Sequence, residues 1–125
     1  CDAPQCVCQP EAGDPNGSCG QATGLPPGLY EDFAICPAGD EDYYSFQLTA
    51  GQKLTVTIYF EHDDGDLELF IYNKSACSSY LKSSTSGTDN ESIVFTAPAS
   101  ATYAMRVLEF SKLAENSYIL EATIE

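Results

Sequence analysis

An antiparallel two-sheet β-sandwich is the fold class this sequence predicts, and three observations predict it. Short runs alternate apolar and polar residues with a period of two. Turn residues punctuate those runs at roughly 8- to 12-residue intervals. No segment carries a helical period of useful length. In a strand, successive side chains point to opposite faces, so each run hides one face and wets the other. About seven or eight such strands pack most economically as two sheets; a closed barrel is the other architecture the pattern allows.

Residues 1–27 precede that rhythm. They hold Cys1, Cys6, Cys8 and Cys19 with most of the prolines and no hydrophobic period. They read as an irregular N-terminal segment, stapled because it buries no core of its own. The β-sandwich domain is predicted over 28–125, beginning with the run Leu29–Ile35 and the turn Pro37–Asp40. Asp42–Leu48 places Tyr44, Phe46 and Leu48 on one face and Tyr43, Ser45 and Gln47 on the other. Ala50 and Gly51 turn the chain into Lys53–Phe60, where Leu54, Val56, Ile58 and Phe60 alternate with Lys53, Thr55, Thr57 and Tyr59. An acidic turn, His62–Gly65, leads to Asp66–Tyr72 with Leu67, Leu69 and Ile71 in phase. A Ser/Thr-rich stretch holds a short strand near Tyr80 and Leu81. Glu91–Thr96, Ala101–Glu109 and Ser117–Glu125 complete the set, the last alternating through Tyr118, Leu120, Ala122 and Ile124.

The totals bound the rest. At 125 residues and 43% hydrophobic composition, the chain is one domain with enough apolar surface for a single core. No apolar run approaches the roughly 18 residues of a membrane helix, so no membrane span is expected. The chain begins at Cys1 instead of Met, which reads as a processed or excised product. A net charge of -14 excludes nucleic acid as a natural partner and repels anionic membranes. It suits cation binding, a basic partner, or solubility in an extracellular medium.

Six cysteines, an even number, predict disulfides and an oxidising compartment, hence a secreted, extracellular or cell-surface protein. Zinc is the rival, but the spacings of Cys1, Cys6, Cys8, Cys19, Cys36 and Cys77 form no paired knuckles, and His62 is the single histidine. Lipidation of Cys1 would leave an odd thiol. Cys6 and Cys8 are too close to bridge each other without strain. If the isolated Cys36 and Cys77 pair, two schemes remain for the others: Cys1–Cys6 with Cys8–Cys19, or Cys1–Cys8 with Cys6–Cys19.

Nucleophilic catalysis finds no support, since His62 would have to serve every proton transfer from within an acidic turn. Glycosidase-type carboxylate pairs lack a suitable host in a compact sandwich without Trp. The chain is therefore expected not to be an enzyme. Tyr43, Tyr59, Phe70 and Tyr72 fall on faces opposite the inferred core, and aromatic side chains are favoured as interface anchors. The competing reading is that the N-terminal segment covers that face, or that cross-strand pairs stiffen it. Asn16, Asn73 and Asn90 begin N-x-S/T sequons and are candidate glycosylation sites.

The ordered set Asp42-Tyr43-Tyr44-Ser45-Phe46, Ala50-Gly51-Gln52-Lys53-Leu54-Thr55-Val56, Gly65-Asp66-Leu67-Glu68-Leu69 and Thr102-Tyr103-Ala104-Met105-Arg106-Val107, closed by Tyr118-Ile119-Leu120, resembles the bacterial pre-peptidase C-terminal domain over about residues 11–125. The resemblance implies a jelly-roll-like sandwich attached to exported proteins, non-catalytic and similar to the collagen-binding domains of bacterial collagenases. It also implies calcium near the start of the sandwich. Asp14, Asn16 and Asp42 match donors there, with Asp40 and Glu41 adjacent, while Ala12 and Gly17 stand where acids are expected. Ca²⁺ takes six to eight oxygens, so waters and carbonyls would complete a weaker site. The acidic turn Asp63-Asp64-Gly65-Asp66 reads instead as a solvated hairpin.

Two functions follow. One is an accessory module binding an extracellular protein or polysaccharide, tuned by calcium. The other is a structural subunit or decoration of an extracellular filament or surface layer, assembling with copies of itself through open sheet edges.

Overall fold

The computed structural model describes residues 18–35, 40–60, 66–85, 90–111 and 116–125. A 3-10 turn at Cys19–Gln21 opens the described chain, followed by β1 (Thr23–Gly24), β2 (Gly28–Ile35), β3 (Glu41–Leu48) and β4 (Lys53–Tyr59). Then come β5 (Leu67–Asn73), β6 (Lys82–Ser84), β7 (Glu91–Thr96), β8 (Ala101–Glu109) and β9 (Asn116–Ile124). They form a five-stranded sheet, β1-β3-β8-β5-β6, and a four-stranded sheet, β2-β9-β4-β7. The predicted two-sheet sandwich is the observed fold. Among the described residues no helix is long and apolar enough to cross a membrane.

The alternation does the sorting. In β4, Leu54, Val56 and Ile58 are fully buried while Lys53 and Tyr59 are exposed. β9 hides Tyr118, Leu120 and Ala122 and wets Ser117, Ile119 and Glu121. The two inner faces meet in one core, centred on rings such as Phe33, Tyr44 and Tyr103. Ring contacts lock it: Phe33 stacks on Tyr44 at 5.1 Å, and Phe95 meets Tyr103 edge-on at 5.1 Å. Gly51 joins β3 to β4 at φ +89, which the tight turn closed by the Gln52 N–H to Thr49 carbonyl bond requires.

Three local details differ from the sequence expectation. β1 lies inside the segment expected to be irregular; Thr23 and Gly24 pair in parallel with Tyr44 and Ser45. The strand expected near Tyr80 and Leu81 starts at Lys82; Leu81 already donates its N–H to the Ile71 carbonyl of β5, and the Tyr80 ring meets that of Phe70. Between Tyr30 and Phe33, two residues of β2 oppose one of β9, a β-bulge at the sheet edge.

The cysteines need a correction. Cys19 is bonded to Cys77, with Cα atoms 6.5 Å apart, so the Cys36–Cys77 bridge does not form and neither scheme for Cys19 holds. The pairing of β1 with β3 carries Cys19 to the five-stranded sheet, where the chain leaving β5 meets it. Cys1, Cys6, Cys8 and Cys36 lie outside the described residues.

Candidate functional site

The outer face of the five-stranded sheet is built by β3, β8 and β5 in register. Tyr43 of β3 faces Arg106 of β8, which faces Phe70 of β5. One row away, Glu41 and Glu68 flank Leu108; on the other side, Ser45 and Tyr72 flank Ala104. Arg106 organises this grid. Its Nε and Nη2 donate to the two Glu41 carboxylate oxygens at 3.0 and 2.6 Å, and Nη1 donates to the Tyr72 hydroxyl at 3.2 Å. Its guanidinium lies 6.0 Å from the Tyr43 ring centroid and 5.9 Å from that of Phe70. Burial opposes the charge on Arg106, but the Glu41 and Tyr72 bonds outweigh it and hold the group firmly protonated. Burial pushes the Tyr43 hydroxyl up, with Arg106 pulling the other way.

The β5–β6 connection folds back over this face. Tyr80 meets Phe70 edge-on at 5.2 Å, and Cys77 sits in a turn facing the Lys74 carbonyl. Strands β1 and β5 are three strand spacings apart, about 14 Å, so the cysteine-linked segments must leave the sheet to meet. Beneath them Ala104 is 1% exposed and Tyr72 5%, although neither belongs to the core between the sheets. Tyr43 and Phe70 stay half-buried at the margin of this cover, and Tyr80 and Leu81 are exposed.

The four predicted binding aromatics are therefore divided. Tyr43, Phe70 and Tyr72 come together around Arg106, but Tyr72 is covered and offers no surface. Tyr59 lies on the other sheet, exposed, beside Ile119 and donating to Glu121 at 3.0 Å. That bond pushes its hydroxyl up from the ordinary value near 10.

The candidate calcium ligands are placed as follows. Asp14 and Asn16 lie outside the described residues. Asp40 is half-buried before β3, and Glu41 is engaged by Arg106. Asp42 is wholly buried and in phase with Tyr44. Its carboxylate accepts the Tyr118 hydroxyl at 2.6 Å and lies 3.5 Å from that of Tyr44; the two hydroxyls are 2.6 Å apart. Burial, then the neighbouring Tyr44 and Asp42, push the Tyr118 hydroxyl well above its usual value.

Of the sequon asparagines, Asn73 accepts the N–H and hydroxyl of Ser75 in a local turn. Asn90 takes a left-handed φ of 67, exposed, while its side-chain oxygen accepts the Phe60 N–H. Asn16 and the whole of His62–Gly65 fall outside the described residues.

A family model described as the bacterial pre-peptidase C-terminal domain matches residues 40–108, more than half of the chain. The chain belongs to that family. The match runs through the whole Tyr43–Arg106–Phe70 row. Among solved structures, this pre-peptidase C-terminal domain is similar to that of a collagenase from Bacillus anthracis, with TM-score 0.68 and 14% identity over 82% of this chain and 94% of the other. A periplasmic inhibitor of g-type lysozyme from Aeromonas hydrophila matches with TM-score 0.66 and 14% identity, covering 83% and 96%. A surface-associated copper-binding protein of Methylomicrobium album BG8 follows at 0.56 and 10%, covering 83% and 98%. At such identities the likeness is one of fold. No curated protein matches the chain by sequence.

Proposed function

We propose that this domain is a non-catalytic accessory module working outside the cell, which docks onto an extracellular protein or polysaccharide. The observation that carries the reading is the Tyr43–Arg106–Phe70 row, continued by exposed Tyr80 and Leu81. Rings fixed by a guanidinium lose little entropy on binding, which is what makes an anchor effective. The Cys19–Cys77 bond fits an oxidising compartment. The similar folds named above come from a collagenase, a periplasmic inhibitor and a surface-associated protein, all consistent with work outside the cytoplasm.

The test is cosedimentation with insoluble protein and polysaccharide fibres. Capture by one fibre class, reduced about tenfold in a Tyr43→Ala, Phe70→Ala variant that still melts cooperatively, is the expected result. Undiminished capture by that variant would remove the face from the proposal.

Calcium tuning belongs to the same proposal, with Asp14, Asn16 and Asp40 as donors; Asp42, buried against the Tyr118 and Tyr44 hydroxyls, is not counted among them. Millimolar Ca²⁺ is expected to raise the melting temperature by roughly several degrees, reversibly with chelator, because a ligand of the folded state alone must stabilise it. A superimposable melting curve would sink the calcium part only.

Edge-to-edge assembly into filaments is the less favoured reading, for a structural reason. On β7, the Ser84 hydroxyl accepts the Ser92 N–H at 3.3 Å and the Lys82 ammonium donates to the Val94 carbonyl. β2 is bulged, β1 has two residues and β6 three. Such edges resist strand addition. A single monomeric species at micromolar concentration supports the binding module; ordered polymers without ligand support the filament.

A further inference from the structure

Glu41 and Glu68 occupy matching places on the outer face, one on each side of Leu108. Glu41 has a cation: Arg106, with the Tyr43 ring beside it. Glu68 is 6% exposed, and no described residue donates a hydrogen bond to it. Burial first, then Asp66, Glu91 and Glu109, push its carboxyl up. Glu109 is held by the N–H and hydroxyl of Ser111, and Glu91 by the Ser84 hydroxyl. A shielded carboxylate in such company is costly until a positive charge reaches it.

Two aromatic residues neighbour Glu68 in the strand register. Phe70 is the next residue on this face of β5, and Phe110, 67% exposed, donates its N–H to the Asp66 carbonyl at 2.7 Å. Among the described residues no three acidic side chains stand at metal-ligand spacing. One carboxylate beside aromatic rings is what a guanidinium or ammonium needs.

We propose that Glu68, neighboured by Phe70 and Phe110, receives an arginine or lysine side chain of a protein partner, repeating between molecules the pair that Arg106 makes with Glu41 within the chain. This deepens the proposed function, rests on it, and chooses a basic protein over a polysaccharide.

The experiment uses the intact chain and a labelled peptide of alternating arginine and glycine, read by fluorescence anisotropy at physiological ionic strength. Glu68→Gln is expected to weaken binding about tenfold or more. Glu125→Gln removes the same charge from the other sheet and should change it less than about twofold, because the field is screened beyond a Debye length of roughly 8 Å. Equal losses in both variants would reduce the effect to net charge and overturn the site, as would no binding at all.

Loss of folding does not confuse the result. A carboxyl raised in the folded state is penalised when charged, so Glu68→Gln should melt higher at neutral pH. That gain should vanish below the ordinary Glu range of about 4.3. Fibre capture that survives the Tyr43→Ala, Phe70→Ala change alongside Glu68-dependent peptide binding would remove the Tyr43–Arg106–Phe70 row from the broader reading and spare this site. The reverse pattern would spare the broader reading alone.

Discussion

Replacing Cys19 and Cys77 with alanine should cost about 4 kcal/mol and lower the melting temperature by roughly 10–15 °C. The bridge closes a loop with a sequence separation of 58, and the entropy removed from the unfolded chain grows with the logarithm of that length. A second contribution comes from the folded side. The bond holds the Cys19–Gln21 turn and the β5–β6 connection together, where Tyr72 and Ala104 are buried outside the main core. Without it, Tyr72 should become solvent-accessible while β4 and β9, in the other sheet, stay protected. Scanning calorimetry together with amide hydrogen exchange reads both effects. A melting temperature within about 3 °C of the parent would show that the bridge closes a loop already closed by β1. Increased exchange spread evenly over both sheets would remove its role as a local clamp.

The sandwich was legible because most strands keep one face wet. β3, β4, β7 and β9 alternate cleanly, so their inward residues could be read from phase alone. The same phase places Asp42 inward with Tyr44, so the burial of that acid was open to sequence reasoning even though its charge argued for the surface. β8 alternates poorly, since Ala104 and Leu108 are buried on the outer face as Tyr103, Met105 and Val107 are on the inner. Arg106 was hidden in that run. The available signal was that it is the chain's single arginine, in the middle of an otherwise apolar strand. Tyr59 could not be separated from Tyr43 and Phe70 by periodicity, which gives the face of a strand but not the sheet it joins. Two-residue β1 has no period to detect, and the partner of Cys19 follows from where β1 lies. Spacing carries neither.

Tyr118→Phe should cost about 1–3 kcal/mol, because it takes a hydroxyl donor from a carboxylate that water cannot reach. The hydroxyl gives its proton to Asp42 at 2.6 Å and sits 2.6 Å from the Tyr44 oxygen, all three groups inside the core. The pH dependence separates this from simple loss of packing. Tyr118 is held protonated in the folded state, its hydroxyl pushed up by burial and by Tyr44 and Asp42. Its contribution is thus fully present below the unfolded value of about 10. As pH rises further, the unfolded chain releases a proton that the folded chain keeps, and stability falls by about 1.4 kcal/mol per pH unit until the raised folded value is reached. Urea titrations between neutral and strongly alkaline pH should show that slope in the parent and a shallower one in Tyr118→Phe. Adding Asp42→Asn to Tyr118→Phe should recover part of the loss, since the acceptor left behind is then uncharged. An unchanged alkaline slope in Tyr118→Phe would mean that other tyrosines set it. A double variant weaker than both singles would mean that shape, and not the buried charge, holds these residues in place.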